Sequence, residues 1–126
     1  MARVLVIDDE EGMCWALEKA LEEEGHQVFT ATCGLAGLAV FKAQEIDLVL
    51  CDIKMPDISG LEVLEQIRKK KPNVPVVIMT GYSTLSVALE AIKKGAVSYL
   101  TKPFHISQLK ELVQKTINQQ PCPSVH

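Results

Sequence analysis

The chain alternates short apolar runs with longer amphipathic segments, and four of the runs end on residues that handle phosphate or metal. The runs cover 4–7, 48–51, 76–79 and 97–101, and they lead into Asp8-Asp9-Glu10, Asp52, Thr80-Gly81 and Lys102-Pro103. Continuous runs rich in Val and Ile are typical of strands buried on both faces of a parallel sheet. Ligands bind beyond the carboxyl ends of such strands, so we expect these polar residues to meet at one edge.

The segments between these runs predict one further strand, at 28–31, and five helices. The helices are expected over 10–24, 35–43, 61–70, 84–94 and 107–118. The fifth strand is expected to reach Lys102-Pro103, and Ser107 is expected to cap the last helix. Strands that alternate with helices are joined by right-handed crossovers into a parallel sheet. The sequence therefore predicts an α/β fold with a doubly wound, five-stranded parallel sheet of order 2-1-3-4-5, flavodoxin-like, with five helices on both faces.

The predicted fourth helix is apolar on more than one face. Leu85, Leu89 and Ile92 form one stripe, which we expect to pack on the sheet. Val87 and Ala91 lie roughly opposite, so the outer face is apolar too. We therefore expect the outer face of helix 4, strand 5 and helix 5 to be an interaction surface.

Composition and charge narrow the class of protein. With 126 residues, of which 48% are hydrophobic and 23% charged, the chain suits one globular domain. We place that domain at 1–119 and interpret 120–126, with two prolines and no periodicity, as a tail or linker stub. A net charge of −3 gives no general attraction to nucleic acid, and the basic run 68–71 sits where a helix dipole favours cations.

The sequence also favours a reduced, cytoplasmic location. No apolar stretch approaches the ~20 residues of a membrane span, and the first strand starts too early to leave room for a signal peptide. The four cysteines lack the spacing of metal ligands. We expect no membrane partner.

The expected proximity of Asp8, Asp9 and Asp52 favours metal binding and phosphoryl transfer. Three carboxylates at one edge repel one another, and either shared protons or a divalent cation would relieve that repulsion. Mg²⁺ prefers oxygen ligands and usually takes only one or two protein carboxylates. A carboxylate can attack phosphorus to form an acyl phosphate. An ammonium group from Lys102 and a hydroxyl from Thr80 would then stabilise the transferring oxygens.

These ordered motifs resemble the receiver domain of two-component response regulators, which accepts a phosphoryl group from a sensor histidine kinase. The resemblance covers residues 3–118. It implies that Asp52 is the phosphoacceptor in a reaction that depends on Mg²⁺. It also implies that Asp9, Asp52 and the backbone carbonyl of Lys54 bind the metal directly, while Asp8 acts mostly through water.

The same resemblance assigns the switch residues. Thr80 is the hydroxyl that turns toward the phosphoryl group, and Tyr99 is the aromatic residue that moves with it. Lys102 contacts the phosphate, and the Lys102-Pro103 peptide is expected to be cis. Gly60 is expected to set the backbone shape of the loop after the phosphorylated strand.

A narrower resemblance concerns the output. The amino-acid sequence of residues 79–82 and 99–104 is similar to that of receivers from enhancer-binding transcription activators. This implies control of transcription through an effector domain or target protein that contacts helix 4, strand 5 and helix 5. From the apolar outer face of helix 4 we expect a phosphorylation-dependent dimer, and from the net charge we expect no direct nucleic-acid contact by this segment. We expect no enzyme activity beyond self-phosphorylation and self-dephosphorylation.

Two other functions fit the same architecture. A Mg²⁺-dependent phosphatase with an aspartyl nucleophile would place a second acid two positions after Asp52, where this chain has Lys54. A flavin- or nucleotide-binding domain would need a glycine- or hydroxyl-rich loop after the first strand. Residues 8–11 are all acidic there and would repel a phosphate that lacks a metal.

Overall fold

Five parallel strands form one sheet in the order β2-β1-β3-β4-β5 in the computed structural model of this chain, which describes residues 2–81 and 85–119. The strands are β1 Arg3–Ile7, β2 Gln27–Ala31, β3 Leu48–Asp52, β4 Val76–Thr80 and β5 Ser98–Thr101. The predicted strand order is confirmed. The predicted tail at 120–126 lies outside the described residues.

Five helices connect and flank the strands. They are α1 Glu11–Glu23, α2 Gly34–Ala43, α3 Gly60–Lys70, α4 Leu85–Lys93 and α5 Ile106–Asn118. Alternate residues of each strand point to opposite faces, so Leu5 packs in the core with α2, α3 and α4, whereas Val4 packs with α1 and α5. The prediction of helices on both faces is therefore confirmed. Within the described residues, none of these helices combines the length and apolarity that a membrane crossing requires.

The inner strands are the ones that the apolar runs predicted best. Every residue of β3 and β4 is buried, whereas β5 is an edge strand on which Tyr99 is 40% exposed. The expectation that the fifth strand reaches Lys102-Pro103 is wrong, because β5 ends at Thr101. Pro103 has no N–H to donate to a strand ladder. The expected cis bond between Lys102 and Pro103 is present.

The expected orientation of α4 is wrong. Of the stripe expected on the sheet, Leu89 and Ile92 are 51% and 42% exposed, and the side chain of Leu85 lies outside the described part of the structure. Ala91, expected on the outer face, is buried, and so is Ala88. The small alanine side chains let the helix approach the sheet closely, which leaves the larger apolar side chains outside. Because α4 is apolar around most of its circumference, its periodicity alone did not identify the buried face.

The start of α5 also differs from the prediction. The residue that precedes the helix is His105, not Ser107, and Ser107 lies in the first turn. The side-chain Oε1 of Gln108 accepts a hydrogen bond of 2.9 Å from the His105 backbone N–H. This contact satisfies an amide that the helix itself cannot pair.

The basic run at the end of α3 is more than a solvated surface. Arg68 donates from Nε and Nη2 to the Gly95 carbonyl at 3.0 and 2.8 Å, and from Nη1 to the Val74 carbonyl at 2.6 Å. The glycine at 95 has φ of +108° and leaves no room for a Cβ beside this guanidinium. Arg68 therefore joins the end of α3 to the turn after α4.

Candidate functional site

The ends of β1 and β3 bring three carboxylates together. Ile7 pairs with Cys51 in the parallel register, so the residues that follow them lie side by side. Carboxylate oxygens of Asp8, Asp9 and Asp52 lie within 4.8 Å of one another. The predicted convergence at one strand edge is therefore what the fold produces, because β1 and β3 are neighbours although distant in sequence.

The three carboxylates differ in access to solvent. Asp8 is fully buried and Asp52 is 7% exposed, whereas Asp9 is exposed. Asp8 Oδ1 accepts from the Glu10 backbone N–H at 2.9 Å, and Asp52 Oδ1 accepts from the Ile53 N–H at 2.8 Å. Asp9 is thus the carboxylate that a hydrated cation reaches most easily.

Lys102 supplies the positive charge at this edge. Its Nζ lies 2.6 Å from Asp8 Oδ2, 3.2 Å from Asp52 Oδ2 and 3.4 Å from Glu10 Oε1. The Lys102 side chain is 12% exposed, and its backbone N–H donates to the Thr80 carbonyl at 2.7 Å. The pairing of β5 with β4 therefore places Lys102, which follows β5, at the site.

Burial and charge shift the titration of the two central groups. Burial raises the pKa of Asp52 above its ordinary value, and the charge of Asp8 adds to that effect, while Lys102 and the Ile53 amide oppose it. Burial acts to lower the pKa of Lys102, but its hydrogen bond to Asp8 and the charge of Asp52 outweigh this and raise it. Lys102 therefore stays cationic at neutral pH.

The residues present suit a divalent cation. Three carboxylates share one ammonium group, so the cluster carries an excess of negative charge when all are ionised. Carboxylate oxygens are hard ligands of the kind that Mg²⁺ and Ca²⁺ take. Lys102 lies 2.6 Å from Asp8 and 3.2 Å from Asp52, so Asp8 is the carboxylate that it holds more closely. The acidic cluster is consistent with a divalent metal site.

A cleft of about 390 Å³ opens beside Asp52. Its lining residues are Glu10, Asp52, Ile53, Lys54, Thr80, Gly81, Val87 and Lys102. Thr80 is 5% exposed at the end of β4. The predicted acceptor, lysine and hydroxyl residues therefore share one cleft, and the residue predicted to offer its carbonyl, Lys54, is on its wall.

Tyr99 occupies a different position from the other predicted residues. In the sheet it pairs with Ile78, two residues before the pairing of Thr80 with Thr101. It is 40% exposed and is not among the described residues that line the cleft. The structure places it on the outer edge of the sheet, close in register to Thr80.

A close backbone approach shapes the loop after Asp52. A Cβ on Gly60 would collide with the carbonyl oxygen of Asp52, and the Gly60 N–H donates to the Ile53 carbonyl at 2.8 Å. Only glycine lacks the atom that would prevent this approach. The start of α3 therefore packs directly against the end of β3.

Two contacts of the site region were missed from the sequence. One is the contact between Glu10 and Lys102 described above. The other is Asp57, whose carboxylate accepts from the Leu35 and Gly34 N–H groups at 2.8 and 2.9 Å. These hydrogen bonds hold the pKa of Asp57 well below its ordinary value. Asp is a favoured capping residue, but this one caps a helix that precedes it by more than twenty residues.

Comparisons with known proteins agree with this geometry. The family model of the response regulator receiver domain matches residues 4–114. The chain is 41% identical over 107 residues to the transcriptional regulatory protein ZraR of Klebsiella oxytoca, which covers 85% of this chain and 24% of that protein. It thus spans about a quarter of the length of the curated relatives that it matches.

Solved structures extend the agreement to the backbone. A CheY-like response regulator receiver domain from Methanospirillum hungatei JF-1 superimposes with a TM-score of 0.92 at 32% identity, covering 95% of this chain and 96% of the other. The beryllofluoride-activated NtrC4 receiver domain, solved as a dimer, gives a TM-score of 0.90 at 32% identity, covering 96% and 100%.

These relatives confirm the narrower resemblance to receivers of enhancer-binding activators. Receiver domains regulate other proteins and are not catalytic in the usual sense. With the strand order, the acidic cluster and the family match in agreement, the chain belongs to the response regulator receiver domains.

Proposed function

We propose that this chain is a phosphorylation-activated switch in which Asp52 accepts a phosphoryl group from a sensor histidine kinase. The observation that carries the proposal is the convergence of Asp8, Asp9, Asp52 and Lys102 within one strand edge. Membership of the receiver family supports the same conclusion.

In the proposed site, Mg²⁺ is held by Asp9, Asp52 and the backbone carbonyl of Lys54. Asp8 acts mostly through water, because its Oδ2 lies only 2.6 Å from Lys102, whereas Asp52 Oδ2 lies at 3.2 Å. When bound, the metal neutralises charge on the phosphoryl oxygens and on the carboxylates. The exposure of Asp9 supports direct binding there.

In the proposed transfer, an oxygen of Asp52 forms a bond to phosphorus as the bond from phosphorus to the donor breaks. The electron pair of the broken bond leaves with the donor. Lys102, already 3.2 Å from Asp52, stabilises the equatorial oxygens, and Thr80 offers a hydroxyl from the same cleft. Self-dephosphorylation follows when water attacks the acyl phosphate. In this proposal the phosphoryl group passes from the donor to Asp52 and then to water, and the chain modifies no other protein.

The proposed output follows from the exposed apolar residues of α4 and β5. Leu89, Ile92 and Tyr99 are each at least 40% exposed, and β5 pairs with the strand that ends at Thr80. A displaced Thr80 hydroxyl would let Tyr99 move and would bias an equilibrium between two arrangements of this surface.

We further propose that the active arrangement pairs with a second receiver or an effector domain and thereby controls transcription. The NtrC4 receiver was solved as a dimer in its activated form, and ZraR is a transcriptional regulator. In this proposal Leu89→Glu removes phosphorylation-dependent association, measured by sedimentation with and without a phosphodonor. Unchanged association would contradict the assignment of this surface.

The phosphoryl site is tested with beryllofluoride, which imitates a phosphoryl group on a carboxylate. In ¹⁵N spectra with Mg²⁺, the amides of Lys54, Thr80 and Lys102 should shift, and Asp52→Asn should abolish the shifts. Asp47→Asn is the matched control, because Asp47 lies just before β3, at the opposite end of the strand from Asp52. This variant should respond like the original chain. Equal shifts in the Asp52→Asn variant would overturn the proposal.

A phosphatase finds no support in the cleft. Lys54 lines the wall at the position where an aspartyl phosphatase needs its second acid. No observation favours this second candidate over the switch.

A further inference from the structure

Helix α2 presents an apolar face to solvent as well as to the sheet. Its sequence, GLAGLAVFKA, carries a single charge at Lys42, and Leu35 is 59% exposed. A groove of about 370 Å³ runs between α2 and α3, and we call it the α2–α3 groove. Its lining residues are Leu35, Leu38, Ala39, Lys42, Gln66 and Lys70. One end of the groove is apolar and the other end is cationic.

Helix α1 carries the complementary pattern on its exposed side. Trp15 is 63% exposed, the largest exposed fraction among the large apolar side chains of the described residues. Glu18 and Glu22 follow it at three and seven positions along the helix, which places all three on one side. The helix therefore offers a large aromatic group followed by carboxylates, of which Glu22 also lies 3.8 Å from Lys19 in an exposed pair.

The two patterns have the same spacing. Trp15 and Glu22 are seven residues apart, and so are Leu35 and Lys42. Seven residues of α-helix rise about 10.5 Å. A helix laid parallel to α2 with its aromatic residue over Leu35 would therefore bring its carboxylate to Lys42.

We propose that α1 of one copy of this chain packs in the α2–α3 groove of a second copy. Trp15 covers Leu35, and Glu22 lies against Lys42, with Lys70 beside it on the wall of α3. Both helices follow parallel strands and run back along them, so parallel packing points both phosphorylation sites the same way. The contact removes two exposed apolar side chains from water, and its ion pairs are screened by salt.

The α2–α3 groove is tied to the phosphorylation loop. Asp57, five residues after Asp52, holds the N–H groups of Gly34 and Leu35 at the apolar end of the groove. The proposed contact is also separate from Leu89 and Ile92 on α4. It therefore adds a second association surface to the one under the proposed function.

Self-association of the full chain is measured by sedimentation without phosphodonor or Mg²⁺, over a concentration series that reaches the millimolar range. These conditions keep the result independent of the proposed function. The original chain should associate, and more weakly at high salt. Trp15 is the single tryptophan, so its emission should shift to shorter wavelength as concentration rises, and Leu35→Glu should abolish that shift.

Two pairs of variants make the test specific. Trp15→Ala and Leu35→Glu should each abolish self-association, yet a mixture of the two should form a complex, because one retains the groove and the other retains the helix. Recovery in the mixture excludes misfolding as the cause. Glu22→Lys and Lys42→Glu should each weaken association about fivefold, the size of an exposed ion pair, and their combination in one chain should restore it.

The controls reverse the same charges elsewhere. Glu24→Lys and Lys93→Glu, exposed residues outside the proposed contact, should associate like the original chain. A chain that stays monomeric throughout the series would overturn the proposal. So would association that survives Leu35→Glu, or that is lost in Leu89→Glu instead, since the contact would then lie elsewhere.

Discussion

The ammonium group of Lys102 lies closer to Asp8, at 2.6 Å, than to the proposed acceptor Asp52, at 3.2 Å. Asp8 is fully buried, so its carboxylate needs a hydrogen-bonded partner such as this one. Lys102 is therefore anchored by a residue that is not modified in the proposed reaction. It can stay in place while the group on Asp52 changes, which suits a residue that must contact phosphate.

Replacing Lys102 should separate phosphoryl transfer from metal binding. Lys102→Gln should lower the rate of phosphoryl uptake from acetyl phosphate by roughly 100-fold, the effect of removing one donor to a transition-state oxygen. Mg²⁺ affinity should not fall, because the change removes a positive charge from the acidic cluster. The uptake rate is measured by phosphorylation kinetics, and the Mg²⁺ affinity is measured by titration calorimetry.

Lys110→Gln is the matched control for Lys102. It breaks an exposed ion pair between α5 and α1, with Glu23 at 3.1 Å, and neither residue lines the cleft beside Asp52. Its uptake rate should equal that of the original chain. Equal rates for Lys102→Gln and the original chain would contradict the role assigned to Lys102.

Two glycine variants test the packing beneath the acceptor. Gly60→Ala places a Cβ against the Asp52 carbonyl oxygen, so it should lower the free energy of unfolding by about 1–3 kcal/mol. Gly12→Ala meets no atom within 4 Å and lies in α1, so it should raise stability by roughly 0.5–1 kcal/mol. Urea denaturation measures both, and equal effects would refute the close approach.

Arg68 should contribute more to the free energy of unfolding than the charged residues next to it in the sequence. Arg68→Met leaves the Gly95 and Val74 carbonyls without this donor and should cost about 1.5–3 kcal/mol, the range for hydrogen bonds from a charged group. Lys69→Met changes an exposed residue and should alter stability by less than about 0.5 kcal/mol. Thermal denaturation measures the stability of both variants. Equal stability of the two would show that the Arg68 side chain is merely solvated.

His26 should make stability depend on pH. Its Nδ1 accepts from the Ala2 N–H at 3.1 Å, and burial lowers its pKa below the ordinary 6.5. The folded chain therefore binds fewer protons at His26 than the unfolded chain does. Its contribution to the free energy of unfolding is present above pH 6.5 and is lost as pH falls through the folded pKa.

The measurement compares urea denaturation at neutral and at mildly acidic pH. His26→Gln cannot titrate, so it should lose less stability on acidification than the original chain. Parallel losses in the two proteins would show that His26 is not responsible.

The sequence was most informative where strands are buried on both faces. The runs before Asp8, Asp52 and Thr80 predicted inner strands, and the strand order then required the carboxylates to meet. The register of an inner parallel strand is fixed by burial, so little besides the apolar run is needed to place its last residue.

The sequence was least informative about which face is buried when a helix carries apolar residues on most of its sides. On α4 it assigned Leu89 and Ile92 to the core, but Ala88 and Ala91 are the buried residues. Periodicity marks an apolar side, and it does not reveal that a close helix–sheet approach selects small side chains. Contacts between distant segments, such as that of Asp57 with α2, also leave no local pattern to find.

The central claim is that Asp52 accepts a phosphoryl group in a reaction that depends on a divalent cation. It is tested most directly by intact mass after incubation with acetyl phosphate, with Mg²⁺ and with chelator, followed by mapping of the modified residue. The account predicts one phosphoryl group per chain, on Asp52, only when Mg²⁺ is present, and none in Asp52→Asn. A folded chain that gains no phosphoryl mass, or gains it equally in Asp52→Asn, would contradict the account.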